Sequence, residues 1–276
     1  MTKFLMTVLL LTQVLPTGYW PLEKSQPLIE KTQTVTLSPD LSRLSEGERK
    51  AMAKLIEVGR IFQRLYEEQR HPEAHSSYQA LVDLDKRTGS KPETQNLLTI
   101  YRLFQGPIAT TLDNKREPFL PVEPTKPGKN VYPWGITKEA IPQSRADLLD
   151  LRTVVRSQKN LAGDVAALKK YPVLQTLHPK LLSQLGAPRP GVDFLYAVPY
   201  SVAYADDLMK AYGLLFEAAD LVEKDDEEFA RFLRNRARDL LSNDYESGDA
   251  SWVTGRFKNL NAQIGSYETY DDELFG

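Results

Sequence analysis

The chain has 276 residues with 35 Lys plus Arg against 37 Asp plus Glu, and 41% of it is hydrophobic. That is globular composition and excludes a disordered, collagen-like or multi-span membrane protein. A pI near 6.0 provides no basic excess to neutralise a phosphate backbone, so no nucleic-acid partner is expected; zero cysteine removes disulfides, cysteine-rich zinc sites and cysteine nucleophiles.

Lys3 precedes Phe4 to Leu15, an apolar run interrupted only by Thr7, Thr12 and Gln13, and Pro16-Thr17-Gly18 ends it. A charged start followed by an apolar stretch too short to span a bilayer reads as an export signal over residues 1–18, with an uncleaved anchor or a buried strand as the other readings. Residues 19–40 are polar and proline-punctuated and read as a linker, with Thr34 to Leu37 as a short strand. Ser45 and Glu48 form a capping box. Met52, Leu55, Ile56, Phe62, Leu65 and Tyr66 then recur at helical spacing, which predicts a helix over 46–70. Pro72 ends that helix or begins a second one running to about Arg87, and Ser90, Pro92 and Glu93 open a third that stops at Gly106-Pro107.

Five prolines between Pro118 and Pro133 forbid helix and central strand, so 118–135 is an extended loop whose aromatics pin it to the body. Thr153 to Val155 and Phe194 to Val198 read as short strands, with a helix over 171–185 between them. Ser201 caps a long helix carrying Leu208, Ala211, Leu215 and Val222 on one stripe. Asp225 to Glu228 start another, and its basic residues Arg231, Arg234, Arg236 and Arg238 read as a solvated face matched to the helix dipole. Phe257 to Tyr270 alternates and is expected to form a strand or two. The expected fold class is therefore mainly α with a small β component (α+β): a helical lobe and the start of a small sheet.

Few residues carry chemistry. The three histidines are His71, His75 and His178. The pair His71-Pro72-Glu73-Ala74-His75 is spaced by four, yet a zinc-protease pattern needs glutamate directly after the first histidine, and proline stands there. Proline at the first helical position also places His71 off the helix face, so a surface helix start is the expected reading and no metal ligand is assigned. No G-x-S-x-G elbow, P-loop or G-x-G-x-x-G occurs. Asp206-Asp207 and Asp271-Asp272-Glu273 read as surface charge, because neighbours on a helix point apart. Glu268 and Tyr270 are two apart and would share one face of a strand. A carboxylate beside a phenol can hold a substrate ammonium and donate to a developing oxyanion; a strand with one amphipathic face is the bland alternative.

The segment Asn261 to Gly276, containing Gly265-Ser266-Tyr267-Glu268-Thr269-Tyr270-Asp271-Asp272, resembles the E-T-Y segment of the dipeptidyl peptidase III family of zinc metallopeptidases and its shorter bacterial zinc-dependent hydrolase relatives. Three earlier stretches agree in order: Leu44-Ser45 to Tyr66, Phe119 to Pro133, and Val198-Pro199-Tyr200-Ser201. The resemblance covers most of residues 40–276 and implies a region 41–276 belonging to the N-terminal part of a two-lobed peptidase-like architecture. It implies that Glu268 anchors the free N-terminus of a bound peptide and that Tyr270 helps to stabilise the tetrahedral oxyanion. The family's zinc is held by an H-E-x-x-G-H helix and a further E-E-x-x-A-E-like helix, both C-terminal to E-T-Y. Neither motif occurs in this sequence. The expectation is substrate-cleft residues without metal or general base, hence a chain inactive alone, with a zinc-bearing segment as its missing partner. The alternative is an exported, non-catalytic peptide-binding or interaction module.

Overall fold

The structure is a computed structural model, and it describes residues 15–141, 143–187, 194–266 and 273–275. The elements in order are α1 (Leu22–Glu30), α2 (Glu46–Arg70), α3 (Ala74–Thr88), α4 (Pro92–Phe104), β1 (Ile108–Thr110), β2 (Arg116–Pro118), β3 (Thr153–Ser157), α5 (Leu161–Lys170), α6 (Pro172–Leu177), α7 (Leu181–Gly186), β4 (Leu195–Pro199), α8 (Tyr200–Ala203), α9 (Ala205–Val222), α10 (Glu227–Ser242) and α11 (Glu246–Thr254). The fold is mainly α with a small β component: the strands form two separate two-stranded sheets, β1–β2 and β3–β4.

The chain divides into two compact units, residues 1–35 with 73–125 and residues 36–72 with 126–276. In the first, α1, α3, α4 and the antiparallel β1–β2 pair enclose a core of Trp20, Leu28, Leu81, Leu97, Ile100, Tyr101, Phe119 and Leu120. Phe119 and Leu120 are fully buried, so the start of the proline-rich loop is pinned as its aromatic and apolar residues predict. Asp85 accepts from Ser90, Thr94 and Gln95 and stitches the turn between α3 and α4.

In the second unit α2 and α10 both pack on α9, and the core around them includes Val58, Ile61, Leu215, Ala218, Phe229, Phe232 and Leu233. The α2 start follows its sequence signature: the Ser45 hydroxyl accepts from the Glu48 amide at 3.0 Å and the Glu48 carboxylate from the Ser45 amide at 2.8 Å. β3 pairs antiparallel with β4 from Thr153↔Pro199 to Ser157↔Leu195. Val155 also donates to the Val131 carbonyl at 2.9 Å, tying the end of the proline-rich loop to the hairpin.

Several expectations are corrected. α1 occupies part of the stretch read as linker, because Trp20, Ser25 and Leu28 bury one side of it; residues 31–43 are exposed and carry neither helix nor strand, so no strand forms at Thr34–Leu37. Residues 257–266 form no strand; the Lys258 amide bonds instead to Asp226, the carboxylate that caps α10. The helix read over 171–185 breaks at His178-Pro179 into α6 and α7. Ser201 does not cap a long helix but sits inside α8.

Candidate functional site

Residues 267–272, which include Glu268 and Tyr270, lie outside the described residues. The two ends of the chain flanking them are described, and both are fastened within the second unit. On the N-terminal side, residues 255–266 run as irregular chain pinned at successive points. The Arg256 amide donates to Glu228 at 2.6 Å and the Lys258 amide to Asp226 at 2.6 Å. Asn259 Nδ2 donates to Glu48 Oε1 at 3.0 Å, and Asn261 Oδ1 accepts from Trp252 Nε1 at 3.0 Å. Asp226 also caps α10, accepting from the Phe229 amide at 3.0 Å. Two helix-capping carboxylates therefore hold the approach to residue 266 as well as their own helices.

Ser266 is the last described residue before the gap. Its carbonyl accepts from Arg152 Nε at 3.1 Å, and its own groups donate to the Tyr245 hydroxyl. The Arg152 guanidinium lies over the Tyr245 ring at 4.0 Å, and Arg236 lies 4.9 Å from the same ring centroid. Burial raises the Tyr245 phenol above its ordinary pKa, keeping it a neutral hydrogen-bonding group. On the C-terminal side Leu274 is buried with Ile141, Leu148 and Val155, and the Phe275 ring packs 5.9 Å from Tyr132.

Behind Tyr245 lies a buried ion cluster. Arg236 and Asp239, both almost without exposure, pair at 3.3 Å, and Arg236 Nη2 also reaches Asp249. Burial pushes the Asp239 carboxyl up to about 6, against the pull of Arg236. Arg236 therefore corrects the reading of the α10 arginines as a solvated face. Its position three and four residues from Leu233 and Phe232 puts it on the buried stripe, a signal present in the sequence. A second ion pair, Arg156 Nη1 with Asp164 at 2.7 Å, is joined by the Tyr196 hydroxyl at 2.7 Å and links β3, β4 and α5.

The histidines do not assemble a metal centre. His71 is almost fully buried, with its ring edge-on to Trp134 at 4.8 Å, which corrects its reading as a surface helix start; it closes α2 rather than opening α3. His178 Nε2 lies 2.8 Å from the Ser201 hydroxyl and 2.9 Å from the Leu241 carbonyl. A carbonyl only accepts, so Nε2 carries a proton and is not available as a base for Ser201. Burial lowers the His178 pKa and keeps the ring neutral. Among the described residues no group of three His, Asp or Glu side chains could hold a metal ion, so the zinc implied by the family resemblance does not fit the residues described. Asp206 and Asp207 are surface charge as expected, paired with Lys170 and Arg64.

No family model matches the chain. The sequence is similar to Nudix hydrolase 3 of Arabidopsis thaliana, 27% identical over 282 aligned positions that cover 91% of this chain and 35% of that protein. It is similar in structure to the dipeptidyl peptidase III of Caldithrix abyssi, with TM-score 0.65 and 25% identity, over 91% of this chain and 41% of that one. It is also similar to the dipeptidyl-peptidase III of Corallococcus sp. strain EGB, with TM-score 0.66 and 25% identity, over 92% of this chain and 41% of that one. The chain thus spans well under half the length of each protein it matches. What it shares with the two solved structures is a dipeptidyl peptidase III-like fold across nine-tenths of its own length.

Proposed function

We propose that this chain is the N-terminal, peptide-binding part of a dipeptidyl peptidase III-like hydrolase. In this reading the Glu268 carboxylate holds the ammonium of a short peptide's free N-terminus, and the Tyr270 phenol donates a hydrogen bond toward the scissile carbonyl oxygen. The observation that carries it is the dipeptidyl peptidase III-like fold in a chain whose sequence contains Glu268-Thr269-Tyr270. The family's zinc would polarise the carbonyl and activate water when present. No step is assigned to it here, because the described residues offer no ligand set; hydrolysis requires a zinc-bearing segment, and the chain alone binds without cutting. The similarity to Nudix hydrolase 3 brings no residue role with it.

A second reading keeps the same peptide site in an exported, non-catalytic module, favoured by the apolar run Phe4 to Leu15. No helix among the described residues is long and apolar enough to cross a membrane. Isothermal titration of the purified chain with a tripeptide, and with its N-acetylated form, tests the shared claim. Heat with the free peptide and none with the acetylated one is expected. Equal affinity for both would overturn it, and dipeptide release by the chain alone in added zinc would overturn the assignment of chemistry to another segment.

A further inference from the structure

α11 is held differently from the helix it packs on. Of its nine residues only Gly248 is buried, whereas α10 buries nine of its sixteen. Trp252 and Val253, its large apolar side chains, are 37% and 74% exposed, so little of the apolar burial that fixes a helix in a core is present. Among the described residues its side chains reach beyond the helix through three polar ties. Ser247 Oγ donates to Asp239 Oδ1 at 3.3 Å and accepts from Arg238 Nη2 at 2.8 Å. Asp249 accepts from Arg236 Nη2, and Trp252 Nε1 donates to Asn261 Oδ1 at 3.0 Å. Where the helices cross, the Gly248 backbone lies directly against the Arg236–Asp239 pair, and a Cβ there would overlap Asp239 Oδ2. α11 therefore covers that pair. The chain on either side is fastened independently, by Asn243 Nδ2 on the Leu151 carbonyl and by the Arg256 amide on Glu228, so α11 can leave α10 without disturbing its neighbours.

The cover brings a second carboxylate to one guanidinium. Arg236 faces Asp239 at 3.3 Å through Nη1 and Asp249 through Nη2, and like charges that share a site oppose each other's ionisation. The other groups around Asp239 are Arg238 on the same helix and Tyr245, whose ring carries the Arg152 guanidinium. α9 gives its carboxylates Asp220 and Glu223 to Arg234, and His178, just after α6, bonds the Leu241 carbonyl. Neither brings a countercharge to Asp239.

We propose that α11 is a lid latched onto the Arg236–Asp239 pair by Asp249: it opens as one unit while α10 stays folded, and it closes more tightly when Asp239 holds a proton. A protonated Asp239 leaves Arg236 to Asp249, whereas an ionised one puts a second negative charge beneath the lid. Burial, helped by the Asp249 charge, pushes the closed-state carboxyl up to about 6, and opening returns it to solvent and a value near 4. Closure thus takes up a proton, and the stability it contributes is full below about pH 4 and lost as pH rises through about 6. Between those two values the closed-to-open ratio is about tenfold larger at pH 5 than at pH 8.

Hydrogen exchange of the full chain at pH 5 and pH 8, read by mass spectrometry and corrected for intrinsic rates, tests this. Amides of α11 should be less protected than those of α10 at both pH values, and about tenfold better protected at pH 5 than at pH 8. Asp239→Asn, which imitates the protonated acid, should remove that difference. Asp249→Ala should lower α11 protection about tenfold at both pH values, with α10 remaining the better protected helix. Exchange of α11 and α10 at one common protection would show that α11 opens only with the whole unit and would overturn the proposal. So would α11 protection equal at the two pH values, a pH difference that survives in Asp239→Asn, or wild-type protection in Asp249→Ala. If Asp239→Asn does not fold, the wild-type comparison and Asp249→Ala decide.

Discussion

Glu48 and Asn259, 211 residues apart in sequence, are joined by a hydrogen bond of 3.0 Å. The other oxygen of the same carboxylate caps α2 through the Ser45 amide at 2.8 Å, and the side chain is almost fully buried. One residue therefore starts the longest helix and holds the chain that leads toward Glu268. Glu48→Ala removes the capping bond and leaves Asn259 without this acceptor, so it should destabilise the protein by about 2 kcal/mol. Urea unfolding followed by circular dichroism measures this. A change within 0.5 kcal/mol, the size usual for surface substitutions, would show that neither bond matters.

Gly248 lies in α11 where a Cβ would overlap Asp239 Oδ2 and come within 3.0 Å of Arg236 Cζ. Neither neighbour is free to withdraw, since both are buried and paired with each other. Gly248→Ala should gain helix propensity of about 1 kcal/mol but lose more through displacement of the ion pair, for a net destabilisation of about 2 kcal/mol. A midpoint of urea unfolding equal to or above wild type would contradict the packing described around Arg236.

Two buried groups set opposing pH slopes. Asp239 has its folded pKa pushed up to about 6, above its unfolded value near 4. Its proton thus contributes stability that is fully present below the unfolded pKa and lost as pH rises through about 6. His178 is shifted the other way by burial. The stability of its neutral ring is present above pH 6.5 and lost as pH falls toward its lower folded pKa. Melting temperatures between pH 4 and 8 should show Asp239→Asn removing the decline between pH 4 and 6, and His178→Gln removing part of the rise up to pH 6.5. A curve for Asp239→Asn parallel to wild type would contradict the first assignment.

Where the sequence carries a local physical signal, the fold is legible in it. The capping box at Ser45 and Glu48, the apolar period of α2, the breaker Gly106-Pro107 and the β-branched and aromatic runs of β3 and β4 all depend on neighbours in sequence. α1 carries no such local signal, because its prolines, Pro21 and Pro27, mask a helix that is stabilised by burial of Trp20 and Leu28 rather than by propensity. The sequence pattern of 257–266 suggests a strand, but the carboxylates of Glu48 and Asp226, distant in sequence, capture the Asn259 side chain and the Lys258 amide. At the candidate site, Glu268 and Tyr270 were readable as a residue pair. The group that holds the chain before them was not, because Arg152 and Tyr245 are separated by 93 positions and a left-handed arginine leaves no mark in composition or period.

The proposed binding of a peptide's N-terminal ammonium by Glu268 is tested by the affinity of one tripeptide for the wild-type chain and for Glu268→Gln, measured by isothermal titration at fixed ionic strength. Replacing the carboxylate with a neutral amide removes a charge-assisted bond worth about 1.5–3 kcal/mol, so the dissociation constant should rise by about tenfold to a hundredfold. Equal affinities for the two chains would contradict the account.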